Sequence, residues 1–554
     1  MIRTSFRVGT LAACLVALLA SFEFKLTAAD STVPAPTRLI NDQLSQVWSA
    51  NKITPSKKCT DYEFVRRVFL DLIGRIPKSD EVDAFMKQPA ATRRSALIQK
   101  LLHHEDYANE YTNHWANIWT TWLLTRTGNP VYHEQMHMWL EEQFKKNVSH
   151  KEMVNSLLTA TGKTNDNQAV NYILAHLGER TQDRKQKEEG YFEVVPITSR
   201  TTRLFLGLQT QCVQCHDHPF NPDWKQSAFW GVNVFFRQVQ RVGTPNQREL
   251  PRIQTAPILE LKDDSSVNAD GIVYFERRNG MILPTTPTFV DGKKVDVSPG
   301  KTRREQLAEL VVNHENFSKA YVNRIWAHFF GRGMNEQPAF DDFGDHNKVV
   351  HPELLDGLAK AFSEYADYNP KELFTWICNS DAYQLSSTTN STNEKADTDV
   401  FFSRMFLKAM TPEQLLESLA IATQGKSANQ TGDNEAVQKR RAEWNKKLVR
   451  NFGDDEGNEV TFNGTVVQAL LMMNGKEIND ELRDKGTVGA ALRLKNSGQG
   501  VATLYMAALS RKPEQHELDV INHVASRTGG KYDVTFYGDI LWALLNSNEF
   551  ILNH

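Results

Sequence analysis

The sequence predicts a mainly α protein that consists of two helical domains with a small β-containing insert between them. Apolar residues recur at helical spacing along most of the chain. Residues 246–300 depart from this pattern, because prolines there separate short β-prone runs. The length of 554 residues also exceeds what one ordinary hydrophobic core supports. Together these observations favour more than one domain, with helices as the main structure.

Composition excludes several classes of protein. Hydrophobic residues make up 40% of the chain and charged residues 24%, which is typical of soluble globular proteins rather than of disordered chains or membrane bundles. The 64 basic and 67 acidic residues give a net charge of −3, unlike the positive balance of a nucleic-acid-binding protein. Five cysteines are too few for a disulfide scaffold in a chain of this length. We therefore expect no nucleic-acid partner and look for function in local motifs.

Residues 1–29 are predicted to be an export signal. Two arginines precede an uncharged, mostly apolar run at 8–20, and small residues before Asp30 form a cleavage site. The run has about 13 residues, whereas a spanning helix needs roughly 20. The sequence therefore predicts an extracytoplasmic protein, periplasmic or secreted, with no stable membrane span after signal removal. The residues that end at Cys14 match a lipidation motif, but Cys14 lies inside the apolar run, which favours cleavage near Asp30.

The first helical domain is predicted at 59–245, after a polar linker at 30–58 that carries three prolines. Residues 178–193 are polar and charged, which predicts an exposed loop. An aromatic stripe within 107–124 predicts core packing more than a haem wall. The segments with helical periodicity are 61–76, 92–102, 107–124, 130–146, 150–160 and 198–211.

The β-containing insert at 246–300 and the second helical domain at 301–554 follow. Asp291-Gly292 between two β-prone runs predicts a hairpin. The polar joint at 386–399 and the charged stretch at 425–463 are predicted to be the first sites of proteolysis. The predicted helices of this domain span 302–313 and 317–330 and begin at His351 and at Thr411, where Thr-Pro-Glu-Gln is a capping box.

One motif carries recognisable chemistry. Cys212, Cys215 and His216 form C-x-x-C-H, the attachment pattern of c-type haem. Two thiols about one helical turn apart reach the two vinyl groups of one haem, and the next residue presents its imidazole to the iron. We therefore predict that Cys212 and Cys215 anchor haem c and that His216 is the proximal ligand. Export agrees with this prediction, because haem c is attached outside the cytoplasm.

The same segment leaves other chemistries open. Cys212 and Cys215, with His218 or with His216, have a spacing that suits a zinc site, which would need a further ligand from elsewhere. A redox dithiol or a structural disulfide is the remaining interpretation. His218 is too close in sequence to His216 to reach the opposite face of an iron, so a sixth ligand comes from another segment or the position is open. The candidate histidines, each of which also has an ordinary structural interpretation, are His114, His133, His137, His328 and His351.

The remaining cysteines and motifs indicate no further chemistry. Cys59 and Cys378 either pair in an oxidising compartment or remain unrelated thiols. The chain contains no glycine-rich phosphate loop, no G-x-S-x-G elbow and no H-E-x-x-H signature. No hydrolase or transferase class is therefore indicated, and no acid–base pair for a polysaccharide hydrolase stands out.

Several segments are distinctive enough to compare with known families. They are F-L-D-L-I-G-R-I-P at 69–77, His114-Trp115, the C-x-x-C-H region at 211–220 with 229–231, N-R-I-W-A-H-F-F-G-R-G at 323–333, D-F-G at 342–344, H-P-E-L-L at 351–355 and L-W-A-L-L-N at 541–546. These segments resemble exported planctomycete proteins that pair a cytochrome-like domain of unknown function with a C-terminal planctomycete-specific domain of unknown function. The resemblance covers most of residues 40–240 and 300–554. It implies export and a C-x-x-C-H site, but no assigned activity, and the lack of a second C-x-x-C-H argues against a multi-haem wire.

The sequence thus favours an exported mono-haem c-type cytochrome-like protein with an electron-transfer or redox role and a redox partner protein. The alternative is a zinc-stabilised extracytoplasmic binding or structural module, linked to the processing of extracellular polymers. In the haem case, a filled sixth position favours simple electron transfer, whereas an open position favours catalysis and carbon monoxide binding. The many histidines near helices favour the filled case.

Overall fold

Helices dominate the computed structural model, which confirms the predicted mainly α fold class. The structure describes residues 33–125, 129–219, 224–244, 257–296, 300–424, 486–527 and 529–554. The predicted export signal, Cys14 and the charged stretch at 425–463 lie outside these residues. The described α-helices are α1 (Ala35–Ala50), α2 (Asp61–Ile73), α3 (Ser79–Met86), α4 (Arg93–His103), α5 (Glu105–Leu124), α6 (Pro130–Lys145), α7 (His150–Thr159), α8 (Asn171–Ala175), α9 (Gln186–Glu189), α10 (Val195–Leu206), α11 (Gln226–Asn233), α12 (Arg303–Val312), α13 (Glu315–Phe330), α14 (Pro352–Glu364), α15 (Pro370–Cys378), α16 (Pro412–Gln424), α17 (Gly486–Leu492), α18 (Ser497–Leu509), α19 (Gln515–Arg527), α20 (Val534–Leu545) and α21 (Asn548–Ile551).

The strands in the described residues form three small antiparallel sheets. They are β1 (Gly162–Lys163), β2 (Val239–Val242), β3 (Glu260–Asp263), β4 (Val273–Glu276), β5 (Ile282–Thr285), β6 (Lys408–Ala409) and β7 (Leu552–Asn553). Strand β3 of the predicted insert pairs with β1 and β2 of the first domain, in the order β1-β3-β2. Strands β4 and β5 form a hairpin, and β6 pairs with β7 near the C-terminus. A bridge between Thr288 and Lys294 closes the turn that Asp291-Gly292 predicted.

Local capping explains where the first helix of the predicted domain at 59–245 begins and ends. The Thr60 hydroxyl accepts from the backbone N–H of Glu63, and the Glu63 carboxylate accepts from that of Thr60, which is a complete capping box at the start of α2. Gly74 ends α2 with φ 76°, a left-handed conformation that favours glycine. A Cβ at Gly74 would also lie 2.4 Å from Nδ1 of His114, so α5 packs where a side chain does not fit.

The predicted linker at 30–58 is wrong over much of its length. Residues Ala35–Ala50 form α1, and Ile40, Leu44 and Trp48 bury its apolar side in the core. The Trp48 indole N–H donates to the Phe401 carbonyl at 2.7 Å. The spacing of the three apolar residues is helical, but the polar neighbours and nearby prolines led to the prediction of a linker.

Other segments also differ from their predictions. Helix α10 ends at Leu206 rather than at 211, because Gly207 turns the chain with φ 63°. The loop predicted at 178–193 contains α9, and its ends are joined by a bridge between Arg180 and Phe192. The polar joint at 386–399 is not loose: Asn393 is buried and donates to Ser56 Oγ and to the Ser403 carbonyl.

The helices of both predicted domains contribute to one continuous hydrophobic core. Trp115 of α5 stacks on Phe374 of α15 with ring centres 4.1 Å apart, and Trp119 stacks on Tyr321 of α13 at 5.9 Å. The aromatic stripe of α5 is therefore core packing. A second cluster joins α16 to α17, α18 and α20. The exact domain boundaries stay predictions, and no described helix is long and apolar enough to cross a membrane.

A buried polar cluster, the Asp71 centre, connects the two predicted domains. Asp71 is 1% exposed, and its carboxylate accepts from the Tyr383 hydroxyl at 2.7 Å, Lys408 Nζ at 2.9 Å and Asn553 Nδ2 at 2.7 Å. Its carbonyl oxygen lies 3.2 Å from Nε2 of His114 and 3.5 Å from Nε2 of His328. The distinctive F-L-D-L-I-G-R-I-P segment therefore serves chain packing.

Candidate metal centre at the C-x-x-C-H segment

The C-x-x-C-H segment follows α10 as a short 3₁₀-helix, Thr210–Gln214. Gly207 separates the two elements in a left-handed conformation. Cys212 lies within the 3₁₀-helix and Cys215 directly follows it, so both thiols belong to one turn. The structure thus keeps the two predicted anchors on a single compact piece of backbone.

Both cysteines are exposed free thiols. Partial burial, followed by the negative charge of Asp342, raises the pKa of the Cys212 thiol above its usual value. Both thiols are unpaired and exposed, so an external group has access to them.

His216 has its two ring nitrogens in different states. Nδ1 lies 2.7 Å from the carbonyl oxygen of Asp217, and a carbonyl only accepts hydrogen bonds. Nδ1 therefore carries the proton, and Nε2 keeps the lone pair that a metal ion binds. A backbone carbonyl on the far nitrogen is also the usual way in which a protein orients a metal-binding imidazole. The donor set of this segment fits haem c.

Neighbouring elements hold the motif in place. The Asp217 carboxylate accepts from the backbone N–H of Gln226 at 2.9 Å and from Arg277 at 3.3 Å, which joins the motif to α11 and to the β4–β5 hairpin. The carbonyl of Gln214 accepts from the Trp230 indole N–H at 3.1 Å and from the Gln226 amide at 3.1 Å. The backbone around Cys215 and His216 is therefore fixed from two sides.

His218 connects the motif to the second domain through its contact with His346. Its ring lies 4.7 Å from the ring of His346 and 5.3 Å from that of Trp224, between centres. The Nε2–H of His346 donates to the Asp342 carboxylate at 3.0 Å. The other nitrogen of His346, Nδ1, is buried and has no hydrogen-bond partner among the described residues.

The segment that carries His346 is anchored to the helix before the motif. Asp341 is buried and pairs with Arg203 of α10 at 2.8 Å and with Arg324 of α13 at 3.2 Å. The backbone N–H of Phe343 donates to the carbonyl of Gly207 at 2.7 Å. These contacts connect the 341–346 segment to α10. Sequence reasoning missed His346 and Asp342, although D-F-G at 342–344 was among the distinctive segments.

The histidines predicted as sixth ligands are engaged elsewhere. His114 and His328 belong to the Asp71 centre, where burial lowers the pKa of each to about 3. His133 lies against the carbonyl oxygens of Asn129 and Thr125, and His137 pairs with Glu141 at 3.6 Å. His351 occupies the position before α14, but its Nε2 donates to the Val400 carbonyl at 2.7 Å.

The structure also bears on the pairing of Cys59 with Cys378 and on the possible metal ligands. Cys59 and Cys378 are buried free thiols, so the interpretation as two unrelated thiols is the one that the structure shows. No three His, Cys, Asp or Glu side chains converge as a ready-made metal site in the part of the chain that the structure describes. His216 and His218 keep their places in the segment, as candidate haem and zinc ligands respectively.

Comparisons with known proteins identify both halves of the chain. Residues 39–241 match the model described as PSCyt2, protein of unknown function (DUF1549). Residues 303–525 match the model described as PSD1, protein of unknown function (DUF1553). No curated protein and no solved structure matches the chain. The chain therefore belongs to the family of proteins that pair these two domains of unknown function.

Proposed function

We propose that this protein is an exported c-type cytochrome-like redox protein that carries one haem. Cys212 and Cys215 would hold the haem through thioether bonds, and His216 would bind its iron. The observation that most supports this proposal is the arrangement of the thiols and the imidazole in the C-x-x-C-H segment. Two exposed free thiols on one turn precede a histidine whose Nδ1 is hydrogen-bonded to a carbonyl and whose Nε2 is the nitrogen with the lone pair.

The chemistry of attachment requires only these residues and the vinyl groups. Cys212 and Cys215 would hold the haem as thioethers, each by addition of its S–H across one vinyl group, which would need no oxidant. The bound iron would supply one-electron transfer at a potential set by its axial ligands and by burial. His216, held by the Asp217 carbonyl, would orient one axial nitrogen. A redox partner protein would exchange the electron.

A zinc-stabilised extracytoplasmic module is the second candidate. Its missing fourth ligand is suggested by the position of His346, whose ring lies 4.7 Å from that of His218. With Cys212 and Cys215 the two histidines would complete a Cys₂His₂ set. Haem is preferred because both thiols are exposed and no three His, Cys, Asp or Glu side chains converge in the described residues, whereas the ligands of a structural zinc site are gathered around one point.

The test is the cofactor content of protein exported together with the haem-attachment machinery. We expect a haemochrome spectrum that persists on the denatured, purified chain, because thioether bonds survive unfolding. Replacement of both anchors, C212A with C215A, is expected to abolish it. The control C59A removes a buried thiol outside the motif and should retain the haem. Stoichiometric zinc without a Soret band would contradict the proposal and support the second candidate.

A further inference from the structure

We propose that His346, from the second family domain, is the second axial ligand of the iron that His216 binds. This inference rests on the proposed function and names the residue that completes it. It differs from every candidate that the sequence suggested, since those histidines are engaged elsewhere. Under this proposal both family domains supply residues that hold the cofactor.

The first argument is the unsatisfied nitrogen of His346. Its side chain is 14% exposed, and Nδ1 is buried with no hydrogen-bond partner among the described residues. A buried polar atom without a partner is unfavourable. Other described side chains also have such atoms, and His346 is distinguished from them by its place beside the C-x-x-C-H segment. A metal ion is one partner that satisfies an imidazole nitrogen without a further hydrogen bond.

The second argument is the carboxylate on the opposite side of the ring. Asp342 lies 3.0 Å from Nε2 of His346, so Nε2 carries a proton, and in the neutral ring Nδ1 holds the lone pair. Carboxylate, imidazole and metal in a row is a common arrangement, in which the carboxylate fixes the tautomer and makes the imidazole a stronger donor. His346 is therefore prepared as a ligand, and Asp342 is its positioning residue.

The third argument is location. The His346 ring contacts His218, which is two residues beyond His216. His346 thus belongs to the immediate surroundings of the motif, yet it is on a separate segment that is not restricted by the spacing of C-x-x-C-H. The buried pair of Asp341 with Arg203 holds that segment against α10.

The experiment compares the ferric and ferrous spectra of the full-length haem protein with those of H346A. We expect the wild type to be low-spin and unreactive toward carbon monoxide. H346A should become high-spin and bind carbon monoxide when reduced, and added imidazole should restore the low-spin spectrum. The control H516A removes a histidine whose side chain is 75% exposed, and it should behave as wild type.

Two further variants keep the test decisive if H346A folds poorly. H346M retains a ligand, so we expect a low-spin iron with a higher reduction potential, because methionine ligation raises the potential. D342N keeps the imidazole but weakens its donor strength, so the iron should stay low-spin while its potential rises. A merely structural role for Asp342 would leave the potential unchanged.

The failures of the two proposals are distinguishable. A wild-type protein without covalent haem overturns the proposed function, and this inference with it. Covalent haem together with a wild type that is high-spin, or with H346A that stays low-spin and unreactive toward carbon monoxide, overturns only the role of His346. In either of those cases the haem attachment at Cys212 and Cys215 stands.

Discussion

The two family domains meet at two polar places, the Asp71 centre and the C-x-x-C-H segment, which differ in how completely their polar groups are satisfied. The Asp71 carboxylate is 1% exposed and accepts hydrogen bonds from three donors, although the amide oxygen of Asn553 has no partner among the described residues. At the motif, both thiols are exposed and Nδ1 of His346 has no partner among the described residues. A carboxylate that has its donors stabilises a fold, whereas an imidazole nitrogen without a partner beside exposed thiols is available to a ligand.

The same contrast explains the distribution of distinctive residues. His114 and His328 are in segments that characterise the family, but the structure uses them to bond to a backbone carbonyl. His346 is less conspicuous in the sequence, yet its unsatisfied nitrogen lies beside the motif. Neighbours of a histidine, rather than the motif it belongs to, therefore separate a structural role from a ligand role.

The largest expected effect comes from breaking the Asp71 centre. D71A would leave Lys408 as a buried cation without its carboxylate, which costs about 3–5 kcal/mol of unfolding free energy. The control D356A removes a partly exposed surface ion pair with Lys319 and is expected to cost about 1 kcal/mol or less. Urea denaturation of both variants checks the difference. Equal losses would show that the Asp71 centre is no more important than a surface pair.

The second prediction is a pH dependence that arises at the Asp71 centre. Burial, followed by the charge of Lys408, lowers the pKa of His328 to about 3, and burial likewise lowers that of His114 to about 3. In the unfolded chain a histidine has a pKa of about 6.5. Between these values the unfolded state binds more protons, so the unfolding free energy falls as the pH decreases from about 6.5 toward 3.

The variant H328Q tests this origin. It removes one of the groups that take up a proton on unfolding, so the unfolding free energy should fall less steeply between neutral and acidic pH. Urea titrations at several pH values measure the slope. The control H516Q changes an exposed histidine and is expected to keep the wild-type slope. A wild-type slope in H328Q would assign the pH dependence to other groups.

Much of the fold was predictable because its signals are local. The capping residues at Thr60, Thr302 and Thr411 mark helix starts in the sequence, and the structure forms each capping box. Helix α1 was missed because three buried residues among polar neighbours and prolines give a weak pattern. The joint at 386–399 was missed for another reason, since its order comes from contacts with residues far away in the chain.

The candidate site also has a part that the sequence predicts from local spacing and a part that depends on tertiary contacts. Cys212, Cys215 and His216 are adjacent in sequence, and their spacing alone indicates their chemistry. His346 has no such spacing, because a single histidine in an acidic segment looks like an ordinary surface residue. Its place beside His218 follows from tertiary contacts, the Asp341 pairs and the Phe343 bond to Gly207. These contacts join residues that are far apart in the chain, so a single sequence does not predict that His346 lies beside His218.

The smallest expected effect concerns how the second domain is held against the motif. Gly207 has φ 63°, and a Cβ there would lie 2.7 Å from the Phe343 ring. G207A therefore combines left-handed backbone strain with a clash, and we expect it to cost about 1–3 kcal/mol of unfolding free energy.

Gly292 provides the matched control, because it also has positive φ, 78°, but a Cβ there meets nothing within 4 Å. G292A should therefore show the backbone strain alone, about 1 kcal/mol. The excess loss in G207A measures the contact with Phe343, and that contact lies on the segment that carries His346. If the two variants lose the same free energy in urea denaturation, Phe343 yields without cost and its segment is only weakly fixed to α10. If G207A loses more and also weakens the low-spin iron signal while G292A does not, the position of His346 depends on this contact, which is what a ligand supplied by the second domain requires.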